Sequence, residues 1–189
     1  KPSCFRLTLT GSISNIESLH RFVAGLAEWL TRSSGRQGGG RLMPEIIYAG
    51  GDHAKVGAAL QPLDGLAQVK VNSYLPLSEL AALCRSASVN VYIRSPKTFH
   101  HKLLELLACG PPVVAFPGET DESRRLAAAS GGELFCPNNK EELVEILSQI
   151  TARIPAPNIA SSKQSAYTWT AQALILEQVL YQSTIGRAD

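Results

Sequence analysis

The stretch His101-Lys-Leu-Leu-Glu-Leu-Leu-Ala-Cys-Gly-Pro-Pro-Val-Val-Ala-Phe116 decides the fold. It reads as a helix, a tight turn and a buried strand. Between Leu103 and Ala108 only Glu105 is charged. Cys109-Gly110 ends the helix, because Gly110 tolerates the left-handed conformation that a C-terminal cap requires. Pro111-Pro112 forbids continuation. Val113 to Phe116 is the β-branched and aromatic run that fills a parallel sheet. A single carboxylate on such a helix, near the strand ends, is well placed to accept hydrogen bonds from a sugar hydroxyl.

Outward from this stretch, apolar runs and amphipathic stretches alternate. Strands are expected at Phe5–Thr10, Glu45–Tyr48, Gln68–Val71, Val89–Ile93 and Glu133–Cys136. Helices are expected at Ile16–Thr31, Ala54–Leu60, Leu77–Arg85 and Glu122–Ala129, with a polar loop from Ser33 to Gly40. Asn138 with Glu141 three places later marks the start of a further helix running to about Ile150, and a last helix is expected from near Thr168. Strands alternating with helices imply βαβ units. The expected fold is therefore α/β: a single Rossmann-like three-layer domain over residues 1–189, its mainly parallel sheet of about six strands covered on both faces, with a helical extension at 157–189.

Composition narrows the function classes. Of 189 residues, 44% are hydrophobic and 18% charged, with a formal net charge of +2, too small for a nucleic-acid footprint. No apolar run reaches the ~20 residues that span a bilayer. The opening Lys1-Pro2-Ser3 has no apolar stretch behind it, so neither a signal peptide nor a natural start is expected, and a cytoplasmic fragment is. Cys4, Cys84, Cys109 and Cys136 lack the paired spacing of zinc or redox motifs and read as small core residues.

Open parallel sheets bind ligands beyond the carboxyl ends of their strands. Gly11-Ser12 is either a phosphate-approaching turn or a plain connection, and Asp52 is read as a cap of the next helix. Lys102 and Glu105 share a helix face, where they either reach a ligand together or form a surface ion pair. The adjacent His100 and His101 do not face one another, so no metal is expected. No dinucleotide or P-loop fingerprint, nucleophile elbow or receiver-type acid pair occurs.

Lys102 to Ala115, KLLELLACGPPVVA, resembles the donor-binding motif of retaining glycosyltransferases of family four, the two-lobed GT-B enzymes. LTLTGSISN (7–15), IIYAGG (46–51), VKVNSYLPLSELAALCRSASVNVYIRS (69–95), GGELFCPNNKEELVEIL (131–147) and YTWTAQALILEQVLY (167–181) resemble, in order, further segments of the family's C-terminal lobe. The resemblance implies a lobe that binds a UDP- or GDP-sugar. Glu105 would hold the donor ribose, with Leu104 beside it and Gly110 behind. Gly11, Ser12 and Lys102 would lie near the diphosphate, and Tyr74, Leu75 and Arg94 near the base. Lys97 stands where the family commonly has a glutamate, and the first loop lacks the family's Arg and Lys, so Lys97 or Lys102 would supply that charge. The resemblance further implies transfer to a glycan or lipid-linked acceptor in polysaccharide biosynthesis, with no metal or other cofactor. An N-terminal acceptor lobe, absent from this chain, would provide peripheral membrane association, and the isolated lobe would be inactive. The alternatives are a degenerate lobe serving as a binding or scaffold module, and a regulatory α/β domain with no cleft beside Glu105.

Overall fold

The computed structural model describes residues 4–34, 43–95 and 101–153. Six strands form one sheet in the order β3-β2-β1-β4-β5-β6: β1 Arg6–Thr10, β2 Glu45–Ala49, β3 Gln68–Asn72, β4 Val89–Ile93, β5 Val113–Phe116 and β6 Leu134–Phe135. Every strand pair is parallel. The helices are α1 Ile16–Ser34, α2 His53–Leu60, α3 Leu77–Arg85, α4 His101–Cys109, α5 Asp121–Ser130 and α6 Lys140–Ala152. A 3-10 turn at Gln61–Leu63, started by Pro62, extends α2 and has no counterpart in the sequence reading.

Alternate residues of the strands feed two cores. On one face Leu7, Leu9, Ile46, Val91 and Phe116 pack with Leu19, Leu26 and Trp29 of α1, Val56 and Leu60 of α2, and Leu143 and Leu147 of α6. On the other, Tyr92, Val113 and Ala115 meet Cys84 of α3, Leu103, Leu106 and Leu107 of α4, and Ala127 of α5. The result is the three-layer α/β/α arrangement that the alternation of elements implies. β4 and β5 are buried along their whole length, whereas β3, at the sheet edge, is half-buried or exposed.

The second face differs around β1, where its inward residues are polar. Thr8, Thr10 and Asn90 are all buried there. The Thr8 hydroxyl donates to Asn90 Oδ1, and Asn90 Nδ2 donates to the Cys84 carbonyl at 3.1 Å. This satisfied network couples β1 and β4 to the end of α3. Polar groups there leave the carboxyl end of β1 without the tight apolar cover found over β5.

Several elements start or end one residue away from the sequence reading, and three departures have a bearing on the structure. α1 continues through Ser34, where a loop was expected from Ser33; the arginine in its last turn, Arg32, favours the helix dipole's negative end. α6, the helix opened by the Asn/Glu capping motif, starts one residue later than that motif suggests. Asn139, not Asn138, is the N-cap: its Oδ1 accepts from Glu142 N at 2.9 Å, while Glu142 Oε1 accepts from Asn139 Nδ2 at 2.7 Å. β6 is confined to two residues inside the expected Glu133–Cys136. The expected extension at 157–189 and the helix from near Thr168 lie outside the described residues.

The shift in the cap has a measurable consequence. Asn139→Ala should lower stability by about 1 kcal/mol, the usual worth of an N-cap side chain. Asn138→Ala should cost clearly less. Urea unfolding of both variants checks this, and equal losses would return the cap to Asn138.

Candidate functional site

The sheet order reverses direction between β1 and β4, the switch point beside which open α/β sheets hold ligands. A cavity of about 810 Å³ opens there, roofed by α3 and α4 and floored by the ends of β1 and β2. Its lining includes Thr10, Gly11, Gly50, Tyr74, Leu75, Cys84, Lys102, Glu105 and Cys109.

The first loop is tied down before any ligand arrives. Gly11 N donates to Ala49 O at 2.9 Å, and the buried Tyr48 hydroxyl donates to Gly11 O at 2.7 Å while accepting from Asp52 N at 3.1 Å. Asp52 stands at the N-cap position of α2 but its side chain accepts no bond from that helix's backbone N–H groups, pairing there only with Lys55 at 3.3 Å. Its Oδ2 instead accepts from Ile13 N at 2.8 Å, and Lys55 Nζ donates to Ile13 O at 2.9 Å. The capping role expected for Asp52 is thus replaced by a clamp on the first loop. The Ile13 amide and the Lys55 ammonium hold its carboxyl below the ordinary carboxylate range.

Lys102, in the first turn of α4, turns inward. Its Nζ donates to Thr10 O at 3.1 Å, and its ammonium occupies the space a side chain on Gly11 would need: a Cβ there would lie 1.3 Å from Nζ. Gly11 also has φ +86°, a conformation that glycine adopts without strain. Burial lowers the Lys102 pKa from its ordinary value, partly offset by the charge of Glu105. Among the described residues no ion pair joins Lys102 to Glu105, so the surface-pair alternative fails. Glu105, one turn further along α4, is exposed and faces the cavity. That geometry removes the cleft-less regulatory domain from consideration.

Two apolar side chains form the lip. Tyr74 is 77% exposed and Leu77 82% exposed, unusual values for residues of their size. Tyr74 lies over Gly51, where a Cβ would come within 2.8 Å of its hydroxyl oxygen. Leu75 lines the wall beside it.

The structure therefore brings Gly11, Tyr74, Leu75, Lys102 and Glu105 together. It does not bring in the others. Ser12 is exposed and Leu104 half-buried, and neither lines the cavity. Arg94 faces another way: its Nε lies 3.8 Å from Glu119 Oε1, a carboxylate that also accepts from the Tyr92 hydroxyl at 2.9 Å and from Thr120 N at 2.6 Å. Lys97 falls outside the described residues. Sequence reasoning missed Tyr48, which reads as one more apolar residue in Ile-Ile-Tyr-Ala, and Cys84 and Cys109, which both line the cavity. Among the described residues no group of three His, Cys, Asp or Glu side chains could hold a metal ion, and no helix is long and apolar enough to cross a membrane.

Residues 6–153 match the protein family described as Glycosyl transferases group 1. No curated protein matches the sequence. Among solved structures, the UDP-GlcNAc 2-epimerase from Neisseria meningitidis bound to UDP-GlcNAc is similar at a TM-score of 0.67 and 13% identity, over 96% of this chain and 46% of that one. Sucrose-phosphate synthase from Thermosynechococcus elongatus gives 0.65 and 18%, over 98% and 47%. The Anabaena protein HepE, solved in complex with UDP, gives 0.62 and 18%, over 95% and 49%. The chain spans just under half the length of each, and at these identities the likeness is one of fold.

Gly11 and Lys102 should prove energetically coupled. Gly11→Ala adds a left-handed penalty of roughly 1–2 kcal/mol and a collision with the Lys102 ammonium. In a Lys102→Ala background the collision disappears, so the double variant should lose less stability than the sum of the single losses. Chemical denaturation of the four proteins measures this. Strict additivity would mean that Lys102 does not sit above Gly11.

Proposed function

Because the chain belongs to the glycosyl transferases group 1 family, we propose that it forms the C-terminal, donor-binding lobe of a two-lobed retaining enzyme of family four. The whole protein would transfer a glycosyl group from a UDP- or GDP-sugar to a glycan or lipid-linked acceptor. An N-terminal lobe would provide the acceptor side of the cleft and any hold on a membrane surface.

Glu105 carries this reading: an exposed carboxylate at the rim of a cavity beyond the strand ends, one helical turn from a half-buried ammonium. An ionised carboxylate is acceptor-only and can receive both hydroxyls of a ribose. Lys102 and the positive end of α4 would meet the diphosphate, whose negative charge grows as the bond to the sugar breaks. No metal is required in that arrangement. Tyr74 and Leu75 would lie against the base, an aromatic face being tolerant of any nucleobase. Ser12, Leu104 and Arg94 take no part in this version of the site.

A second reading, a binding or scaffold lobe without catalysis, is favoured by the first loop. Ser12 to Asn15 carries no cation, and the Ile13 amide that would greet a phosphate is already bonded to Asp52. A phosphate there would meet a carboxylate instead.

Calorimetric titration with UDP, GDP and ADP separates the two. At least one diphosphate should bind, and Glu105→Ala should weaken it roughly ten- to a hundredfold, the worth of a hydrogen bond to a charged group. A folded protein that binds none of the three leaves only the scaffold.

Lys102 gives a further test with opposite signs. Its folded-state pKa is lowered, so the folded protein holds that proton less readily than the unfolded chain, and stability rises as pH climbs through the lysine range. Lys102→Met should therefore leave the thermal midpoint at neutral pH no lower than that of the parent, while diphosphate affinity falls at least tenfold. A drop in both would make Lys102 a structural residue.

A further inference from the structure

We propose that the Ile13 amide and the Lys55 ammonium form a second anion site beside the cavity, which admits a phosphate-type oxyanion when the Asp52 carboxylate swings out of it. In this structure Asp52 is the occupant. Ile13 N donates to Asp52 Oδ2 at 2.8 Å, and Lys55 Nζ lies 3.3 Å from Asp52 Oδ1. A backbone N–H and an ammonium thus converge on the two oxygens of one carboxylate, as they would on two oxygens of an external oxyanion.

The fixed and movable parts of the site are separate. The Ile13 side chain is buried in the core, which anchors its peptide group. Two residues earlier, Gly11 is held through its N–H by Ala49 O and through its carbonyl by the Tyr48 hydroxyl. Asp52 and Lys55, by contrast, reach the site with side chains that are 30% and 45% exposed, so exchange requires only side-chain rotation. Lys55 Nζ also donates to Ile13 O at 2.9 Å, which keeps the ammonium on the loop when the carboxylate leaves. Asp52 has an alternative seat. It stands at the N-cap position of α2, where an aspartate commonly accepts from the first amides of a helix, and that role is unused here.

The site adjoins the cavity without being part of its lining. Ile13, Asp52 and Lys55 do not line the cavity, whereas Gly11 and Gly50 do. Gly50 approaches Gly11 so closely that a Cβ on it would lie 2.6 Å from the Gly11 carbonyl oxygen. Lys102, bonded to Thr10 O, is a different cation on a different element.

Charge decides which anions enter. Asp52 offers a single negative charge, but its tether gives it a high effective concentration. A free monocarboxylate has the same charge and no tether, so it does not displace Asp52. A phosphate carries about two negative charges near neutral pH and gains correspondingly more from Lys55. The apparent affinity for it is reduced by the fraction of molecules in which Asp52 has left the site.

Inorganic pyrophosphate and UDP are titrated calorimetrically into the parent protein and its variants, with folding checked by circular dichroism. Asp52→Ala empties the site, so pyrophosphate should bind roughly tenfold tighter or more than it does to the parent. Asp52→Asn keeps an acceptor for the Ile13 N–H but removes the charge; it should tighten binding by a smaller factor, and it carries the test if the alanine variant does not fold. Lys55→Met in the Asp52→Ala background should abolish the gain. The gain should persist when Asp52→Ala is added to Lys102→Met and compared with Lys102→Met alone. Tighter binding of pyrophosphate but not UDP assigns the site to free phosphates, and tighter binding of UDP assigns it to the phosphates of a nucleotide. Folded Asp52 variants that bind neither anion more tightly than the parent, a gain that survives Lys55→Met, or one that vanishes with Lys102→Met would each overturn the proposal. Pyrophosphate needs no nucleoside pocket, so this outcome is independent of whether Glu105 holds a ribose.

Discussion

The loop after β1 is held from three directions before anything binds, and the cavity takes its shape from that. β2 reaches it through the Tyr48 hydroxyl, α2 through Asp52 and Lys55, and α4 through Lys102 on the Thr10 carbonyl. Each contact uses a backbone group that a loosely held loop would turn toward water. A loop fixed in this way leaves little conformational entropy to lose on binding, which is the condition for a preorganised site. It also restricts what the loop can offer: Ile13 is satisfied at both N–H and C=O, and the charged side chains lining the cavity, Arg85, Lys102 and Glu105, come from α3 and α4.

That division follows from the alternation in Arg-Leu-Thr-Leu-Thr. Leu7 and Leu9 enter one apolar core, while Thr8 and Thr10 point to the face where α3 and α4 lie. A strand with apolar residues on both sides would have been covered tightly by helices on both sides. Polar residues on one side, with Thr8 bonded to Asn90, permit the opening at the switch point. The position of the cavity is thus set by the strand's own composition as well as by the order of strands.

Much of this fold was legible because buried strands and amphipathic helices leave local patterns. Leu77–Arg85, Val89–Ile93 and Val113–Phe116 coincide with their expected bounds, each closed by a turn signal or a change of periodicity. The pairing of Lys102 with Glu105 on one helix face was equally local. What was hidden depends on contacts between elements distant in sequence. Nothing around Lys102 says that its ammonium folds inward, since the space for it exists only because Gly11, on another element, has no Cβ. Periodicity assigns Cys84 and Cys109 to apolar faces but is silent on their lining one cavity. Asp52 sits where a cap should, yet its nearest free donor is on a different loop.

Arg94 shows how a charge near the strand ends can still be unavailable. It follows β4, next to β1, and its charge is matched by Glu119, whose side chain is buried and further held by Tyr92 and Thr120. Burial and the adjacent carboxylate push the Tyr92 hydroxyl pKa up, so it remains a donor to that carboxylate. An anion approaching Arg94 would have to compete with an ionised partner already in place. Lys102 bonds a neutral carbonyl and is half-buried, so its desolvation is only partly compensated. A group in that condition gains most from an incoming negative charge. Lys102, contributed by a helix and seated over a glycine, is therefore poised for an anionic ligand where Arg94 is not, with the exposed carboxylate of Glu105 one turn away to receive the ligand's hydroxyls.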